Sequence, residues 1–116
     1  MSAGKYNFEI EQGATFRRSV TYKDSDDVAI DLSNATVRMQ IRNNYSSEEA
    51  AISLSTPDSG IALESDTGVF TFTITAEQTA ALTFVQGVYD IEIEYASGDV
   101  ERILEGRVKV STEVTR

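Results

Sequence analysis

Apolar and polar positions alternate along most of the chain, the pattern of strands with one face on a core and the other in solvent. Tyr6, Phe8 and Ile10 fall on one side of an extended segment, and Lys5, Asn7, Glu9 and Glu11 on the other. After Gln12-Gly13, the run from Ala14 to Tyr22 points Phe16, Val20 and Tyr22 inward with Arg18 on the same face, which an edge position or a pairing partner would accommodate. Polar Lys23 to Asp27 reads as a turn, Val28 to Leu32 as a short extended piece, and Ser33-Asn34 as another turn. Ala35, Val37, Met39 and Ile41 alternate with Thr36, Arg38, Gln40 and Arg42, which predicts a strand with a cationic outer face. Ile52 and Leu54 predict a short strand, Pro57-Asp58-Ser59-Gly60 a turn, and Ile61 with Leu63 the return arm of a small hairpin. Ser65-Asp66-Thr67-Gly68 is a further turn, beyond which Phe70, Phe72 and Ile74 alternate with Thr71 and Thr73.

One stretch breaks the period of two. Thr75-Ala76-Glu77-Gln78 fits a capping box, and Thr79-Ala80-Ala81-Leu82 continues it, so a short helix over about 76–82 is expected. At about two turns it cannot persist alone in water and must dock its Leu82 side as a crossover between strands. Tyr89, Ile91, Ile93 and Tyr95 then alternate strictly with Asp90, Glu92 and Glu94, and Ser97-Gly98-Asp99 turns the chain into Val100 to Val110 as the second arm of a hairpin. Gly106 interrupts that arm and predicts a bulge or a close backbone approach, with Val108, Val110 and Val114 completing the core. Eight or nine short strands with one crossover helix predict an all-β chain, an antiparallel immunoglobulin-like β-sandwich, with a barrel as the second choice.

The length of 116 residues fits one such domain over residues 1–116 and leaves no room for two. Ten basic against nineteen acidic residues give a net charge of −9, which argues against nucleic acid or an anionic membrane as the main ligand. Residues 1–58 carry a net −3 and residues 59–116 a net −6, an inequality that oriented assembly can use. Histidine, cysteine and tryptophan are absent, which removes imidazole acid–base chemistry, thiolate nucleophiles, disulfides and any zinc site built on His or Cys. The polar opening Met-Ser-Ala-Gly-Lys-Tyr-Asn has no apolar signal core, and no apolar run approaches the roughly 20 residues that cross a bilayer. The expectation is a soluble protein made in a cytoplasm.

Candidate chemistry is sparse. Asp24, Asp26, Asp27 and Asp31 form the densest acidic cluster, but calcium-loop spacing is not met, and a solvated turn is the expectation. Glu92 and Glu94 project from one face of one strand at roughly 7 Å, within the range of glycosidase carboxylates, yet alternating acids on a strand ordinarily form its wet face. Neither Gly-x-Ser-x-Gly nor a phosphate-binding glycine loop occurs, so no catalytic residue, metal, cofactor or small-molecule substrate is assigned. Arg17, Arg18, Arg38 and Arg42 would form a cationic strip for a partner if their two strands share a sheet; otherwise they belong to an ordinary mixed surface. Tyr45, Phe84 and Val85 are apolar groups in connections, placed either to cap the core or to meet a partner.

The segments FEIEQGATF, DLSNATVRMQIR, TGVFTFTITAEQTAAL and GVYDIEIEYASGDVERILEGRVKV, in that order, resemble small β-sandwich structural proteins of tailed bacteriophages. That class includes baseplate, tail-fibre-attachment and head-decoration modules, among them the N-terminal sandwich of BppU-like baseplate upper proteins. The resemblance spans nearly the whole chain and rests on strand and turn patterns. It implies a non-enzymatic virion component of the tail, baseplate, neck or capsid surface, made in the host cytoplasm, whose partners are other phage structural proteins and further copies of itself. The alternative is a carbohydrate- or receptor-binding module on the same fold, which is disfavoured by the missing tryptophan and by the inward placement of most Tyr and Phe. An acidic mimic of DNA ranks third, because −9 spread over alternating strands lacks a dense array of charge.

Overall fold

The computed structural model describes residues 4–23, 26–32, 34–44, 46, 49–56, 60–64 and 68–112. Among these, nine strands and one helix run in the order β1 (Gly4–Lys5), β2 (Phe8–Glu11), β3 (Phe16–Thr21), β4 (Thr36–Arg42), β5 (Ile52–Ser55), β6 (Ile61–Glu64), β7 (Val69–Ile74), α1 (Ala76–Ala80), β8 (Gln86–Glu94) and β9 (Val100–Ser111). The larger sheet has the order β1/β2–β9–β8–β4–β5, and the smaller one β3–β7–β6.

The two sheets enclose one core. Phe8, Ile10, Val37, Met39, Ile41, Ile91, Ile93 and Val108 from the larger sheet meet Phe16, Ile61, Phe70, Phe72 and Ile74 from the smaller. All of them sit at the inward phase of a period-two pattern, which is why their strands were legible in the sequence. Phe8 is the aromatic hub, with ring centroids 4.7 Å from Tyr89 and 5.6 Å from both Phe16 and Phe72.

The helix forms as the capping box predicts. Thr75 Oγ1 accepts from the Gln78 amide at 3.1 Å, and Gln78 Oε1 accepts from the Thr75 amide at 2.9 Å. Its fully buried Thr79 hydroxyl donates to the Ala14 carbonyl and accepts from the Gly13 amide, tying the helix to the connection between β2 and β3. Leu82 is buried, so α1 serves as the expected crossover, here from the smaller sheet to the larger one. No described helix is long and apolar enough to cross a membrane.

Several expectations are corrected. β5 pairs with β4 in the larger sheet and β6 with β7 in the smaller, so the two do not form a hairpin: their apolar faces meet across the core instead of lying side by side. Val28 to Leu32 is not a strand; one bridge joins Lys23 and Ala29, and Leu32 is buried from an irregular segment. β1 and β2 run parallel to β9, so the sandwich is not wholly antiparallel. Tyr6, expected inward, is 55% exposed at the break between β1 and β2 and leans on Phe8. The register slips at Ile103 and not at Gly106, for Ile91 faces Leu104 while Glu92 faces Arg102. Gly106 instead makes the close approach, with its face against the Tyr6 carbonyl. Val114 and most of the turns at 57–60 and 65–68 lie outside the described residues, as do Asp24 and Tyr45.

Candidate functional site

The outer face of the larger sheet gathers the most charge. Its outward positions carry six cations, Lys5, Arg38, Arg42, Arg102, Arg107 and Lys109, and six anions, Glu9, Glu11, Asp90, Glu92, Glu94 and Glu105. The face is therefore neutral, although the chain as a whole carries −9. Sign alternates by strand: β4 contributes only cations and β8 only anions, while β9 is cationic apart from Glu105.

Ion pairs link neighbouring columns. Arg38 spans two carboxylates, reaching Glu94 at 2.9 Å and Glu92 at 3.6 Å. Arg102 meets Asp90 at 3.4 Å, and Arg42 donates to Gln40 Oε1 at 2.8 Å. Glu92 and Glu94 thus stand on a wet, ion-paired strand face, the ordinary reading of that spacing. Two shallow depressions of about 260 and 420 Å³ flank Asp90 and Glu92 on this face. Their mixed-charge walls lack the apolar lining of a small-molecule pocket.

Asp90 is half-buried in this array. Burial, and next the Glu92 charge, raises its pKa above the ordinary 3.8, against the lowering pull of Arg102. A carboxyl with a raised folded-state pKa favours the fold in acid, and that contribution is lost as the pH climbs through the raised value. Ionised Asp90 is accordingly a net cost at neutral pH, and Asp90→Asn should raise the melting temperature at pH 7 by about 1–2 °C. The gain should shrink as the pH falls through the raised value towards the ordinary one, and be gone below the ordinary carboxylate range. Melting curves across pH check this, and a lower neutral-pH melting temperature in the variant would mean that the Arg102 pair outweighs desolvation.

The sheet edges offer less. β3 is an edge of the smaller sheet, and Arg18 lies on its inward side opposite Phe72 in the register. Its guanidinium stacks 4.4 Å above the Phe16 ring and donates to the Arg17 carbonyl at 3.0 Å. The edge position anticipated for Arg18 is thus the observed one, and an inward-pointing charge on an edge strand resists pairing with another chain. Arg17 points outward and bonds Thr73 Oγ1 at 3.3 Å. Arg17 and Arg18 therefore belong to the smaller sheet and Arg38 and Arg42 to the larger, so the four do not form one strip. Phe84 is half-buried against the core and Val85 is 67% exposed.

At one end of the sandwich, Glu101 accepts from the hydroxyls of both Tyr22 and Tyr95. Burial first, and then the hydrogen bond to Glu101, raises both phenol pKa values. This clip joins β3's end to the β8–β9 hairpin, and the sequence reading missed it because the register slip at Ile103 turns Glu101 inward. The adjacent pair Ile103-Leu104, which breaks the alternation, is the signal that marks the slip. Among the described residues, no group of three His, Cys, Asp or Glu side chains converges as a metal site.

Neither a protein-family model nor a curated protein matches the sequence. The structure is similar to the immunoglobulin-like domain of mouse leukocyte-associated immunoglobulin-like receptor 1, seen in a crystal structure of a strand-swapped dimer. The two share 19% identity with a TM-score of 0.52, over 90% of this chain and 86% of that one. The fold is immunoglobulin-like. In the lettering of that fold, β3–β7–β6 is the B–E–D sheet and β9–β8–β4–β5 the G–F–C–C′ sheet. Antibody domains hold their Ig-like sandwich with a disulfide packed on a tryptophan; here Met39, Phe70, Phe72 and Ile91 fill the centre without either. Tyr89, two residues before Ile91 near the start of the F strand, sits where antibody domains keep a tyrosine that bonds upstream backbone. In this Ig-like chain its hydroxyl donates to the Tyr6 carbonyl at the break between β1 and β2. The charged surface is the G–F–C–C′ face.

Proposed function

We propose that this chain is a non-enzymatic assembly module that works by protein–protein contact, as a structural component of the virion of a tailed bacteriophage. The observation that carries the contact reading is the outer face of the larger sheet, where strand-by-strand alternation of charge sums to zero on an otherwise acidic chain. Charge complementarity of this kind selects partners and fixes register more than it supplies affinity. The virion assignment is supported by the resemblance of the strand-and-turn segments to tailed-phage sandwich proteins. Capsid surface, neck, tail and baseplate are all positions open to it, with other phage structural proteins and copies of itself as partners.

Quantitative peptide mass spectrometry of gradient-purified particles, measured against the major capsid protein, tests the assignment. Near-capsid abundance is expected of a decoration protein, and a small, reproducible amount of a tail, neck or baseplate component. Absence from particles whose other minor proteins are detected would overturn the virion reading. Competable binding on a glycan array would then favour a carbohydrate module, although Tyr6, itself leaning on Phe8, is the one exposed aromatic residue among the described residues.

A further inference from the structure

The charged face carries a more specific consequence, which rests on the reading of the chain as an assembly module. We infer that the outer face of the larger sheet is a self-docking surface, on which a second copy of the chain stacks about a two-fold axis running along the strands between β4 and β8. A two-fold interface uses the same patch on both copies, so the patch must be complementary to itself. A face of one sign fails that condition; adjacent columns of opposite sign meet it. The rotation lays β4 of one copy over β8 of the other and the reverse.

The register makes the match residue by residue. Arg38 stands level with Glu92 in the β4–β8 ladder, so the rotation sets Arg38 of each copy over Glu92 of the other. The result is a quartet of two cations and two anions with like charges on its diagonals. Gln40 and Asp90 are likewise level, which brings a neutral donor over the carboxyl that burial already disfavours as an anion. The β8–β9 boundary serves less well, because Glu105 stands between Arg102 and Arg107 and would face the acidic column. Both shallow depressions flank the β4–β8 seam.

Electrostatics elsewhere leave this face as the place where copies meet. Among the described residues off this face, eight acidic side chains stand against three basic ones, so contact through other surfaces sets acidic regions against each other. Six strands in five side-by-side positions, each about seven residues long, give roughly 500–600 Å² per copy, at the small end of specific interfaces. Self-association at about 10–100 μM is therefore expected of the isolated chain, with many weak copies adding up in an ordered assembly.

Sedimentation velocity of the full chain across a concentration series tests this. The expected result is a species approaching twice the 12.7 kDa chain mass at low salt, dispersing at about 1 M salt where the Debye length falls to about 3 Å. Arg38→Glu makes the quartet all acidic and Glu92→Arg makes it all basic, so each variant alone should associate at least about tenfold more weakly. An equimolar mixture of the two should recover a heterodimer, which damage to the fold would not produce. Wild-type amide chemical shifts on dilution, a measurement that needs no variant, should move along β4 and β8 and stay fixed in β3, β6 and β7.

A wild-type chain that stays monomeric at about 1 mM, ten times the upper end of the expected range, overturns the inference. So does association indifferent to both reversals, or a mixture that fails to rescue. A chain found in particles yet monomeric in solution removes only this inference, and a dimer absent from particles removes only the virion assignment.

Discussion

Replacing Gly106 with alanine is expected to lower the melting temperature by about 10–15 °C, equivalent to about 3 kcal/mol for a chain of this size. Glycine inside a strand ordinarily weakens it, so alanine in its place would ordinarily help. Here the sign reverses, because a Cβ would overlap the Tyr6 carbonyl oxygen and lie 2.8 Å from its carbon. The obstacle is backbone, which cannot rotate aside like the tip of a side chain. Tyr6 is also held on two sides, its amide donating to the Glu105 carbonyl at 3.0 Å and its carbonyl accepting from Tyr89. One residue on, Asn7 Oδ1 accepts from the Arg107 amide at 2.9 Å, filling in for the ladder where β1 and β2 are interrupted. Alanine would push the first strand outward and break these bonds together. Thermal melting gives the magnitude, and hydrogen exchange should show lost protection centred on Tyr6 and Arg107. An unchanged or higher melting temperature would show that the first strand does not depend on this approach.

Phe72→Ala should cost about 3–5 kcal/mol, a large share of the total stability of an ordinary domain. Phe72 is fully buried on β7, the central strand of the smaller sheet, and its ring meets Phe8 of the larger sheet edge-on at 5.6 Å. Phe16 lies 6.0 Å away on β3. Truncation removes apolar burial, the edge-to-face contact and the ring on which Phe8 rests, and it leaves a cavity where both sheets must stay apart. In urea the midpoint should fall while the slope of the transition stays constant, since the folded and unfolded surfaces change little. A loss below about 1 kcal/mol would mean that the two sheets collapse onto the vacancy, and would argue that the aromatic cluster does not set their spacing.

Much of the fold is legible in the sequence because it is local. Alternation marks β2, β4, β7 and β8, and the Thr75–Gln78 capping box marks the start of α1, each from residues that are neighbours in the chain. The anticipated close approach at Gly106 and the edge position of Arg18 belong here too, since a missing side chain and a charge in an apolar phase are anomalies visible in one strand. The wet-face reading of Glu92 and Glu94 followed from the same alternation.

Which sheet a strand joins is not a local property. β5 and β6 have the same short apolar pattern and go to opposite sheets, and the arginines of β3 and β4 separate for the same reason. Pairing between segments distant in the chain is decided by how all the apolar faces together close one core, and no single window contains that information. The parallel course of β1 and β2 beside β9, and the register slip that turns Glu101 inward, are further outcomes of that closure. The candidate surface depends on it most. Its charges are plain in the sequence, but their order in columns of alternating sign arises only when β4, β8 and β9 lie side by side with Arg38 level with Glu92.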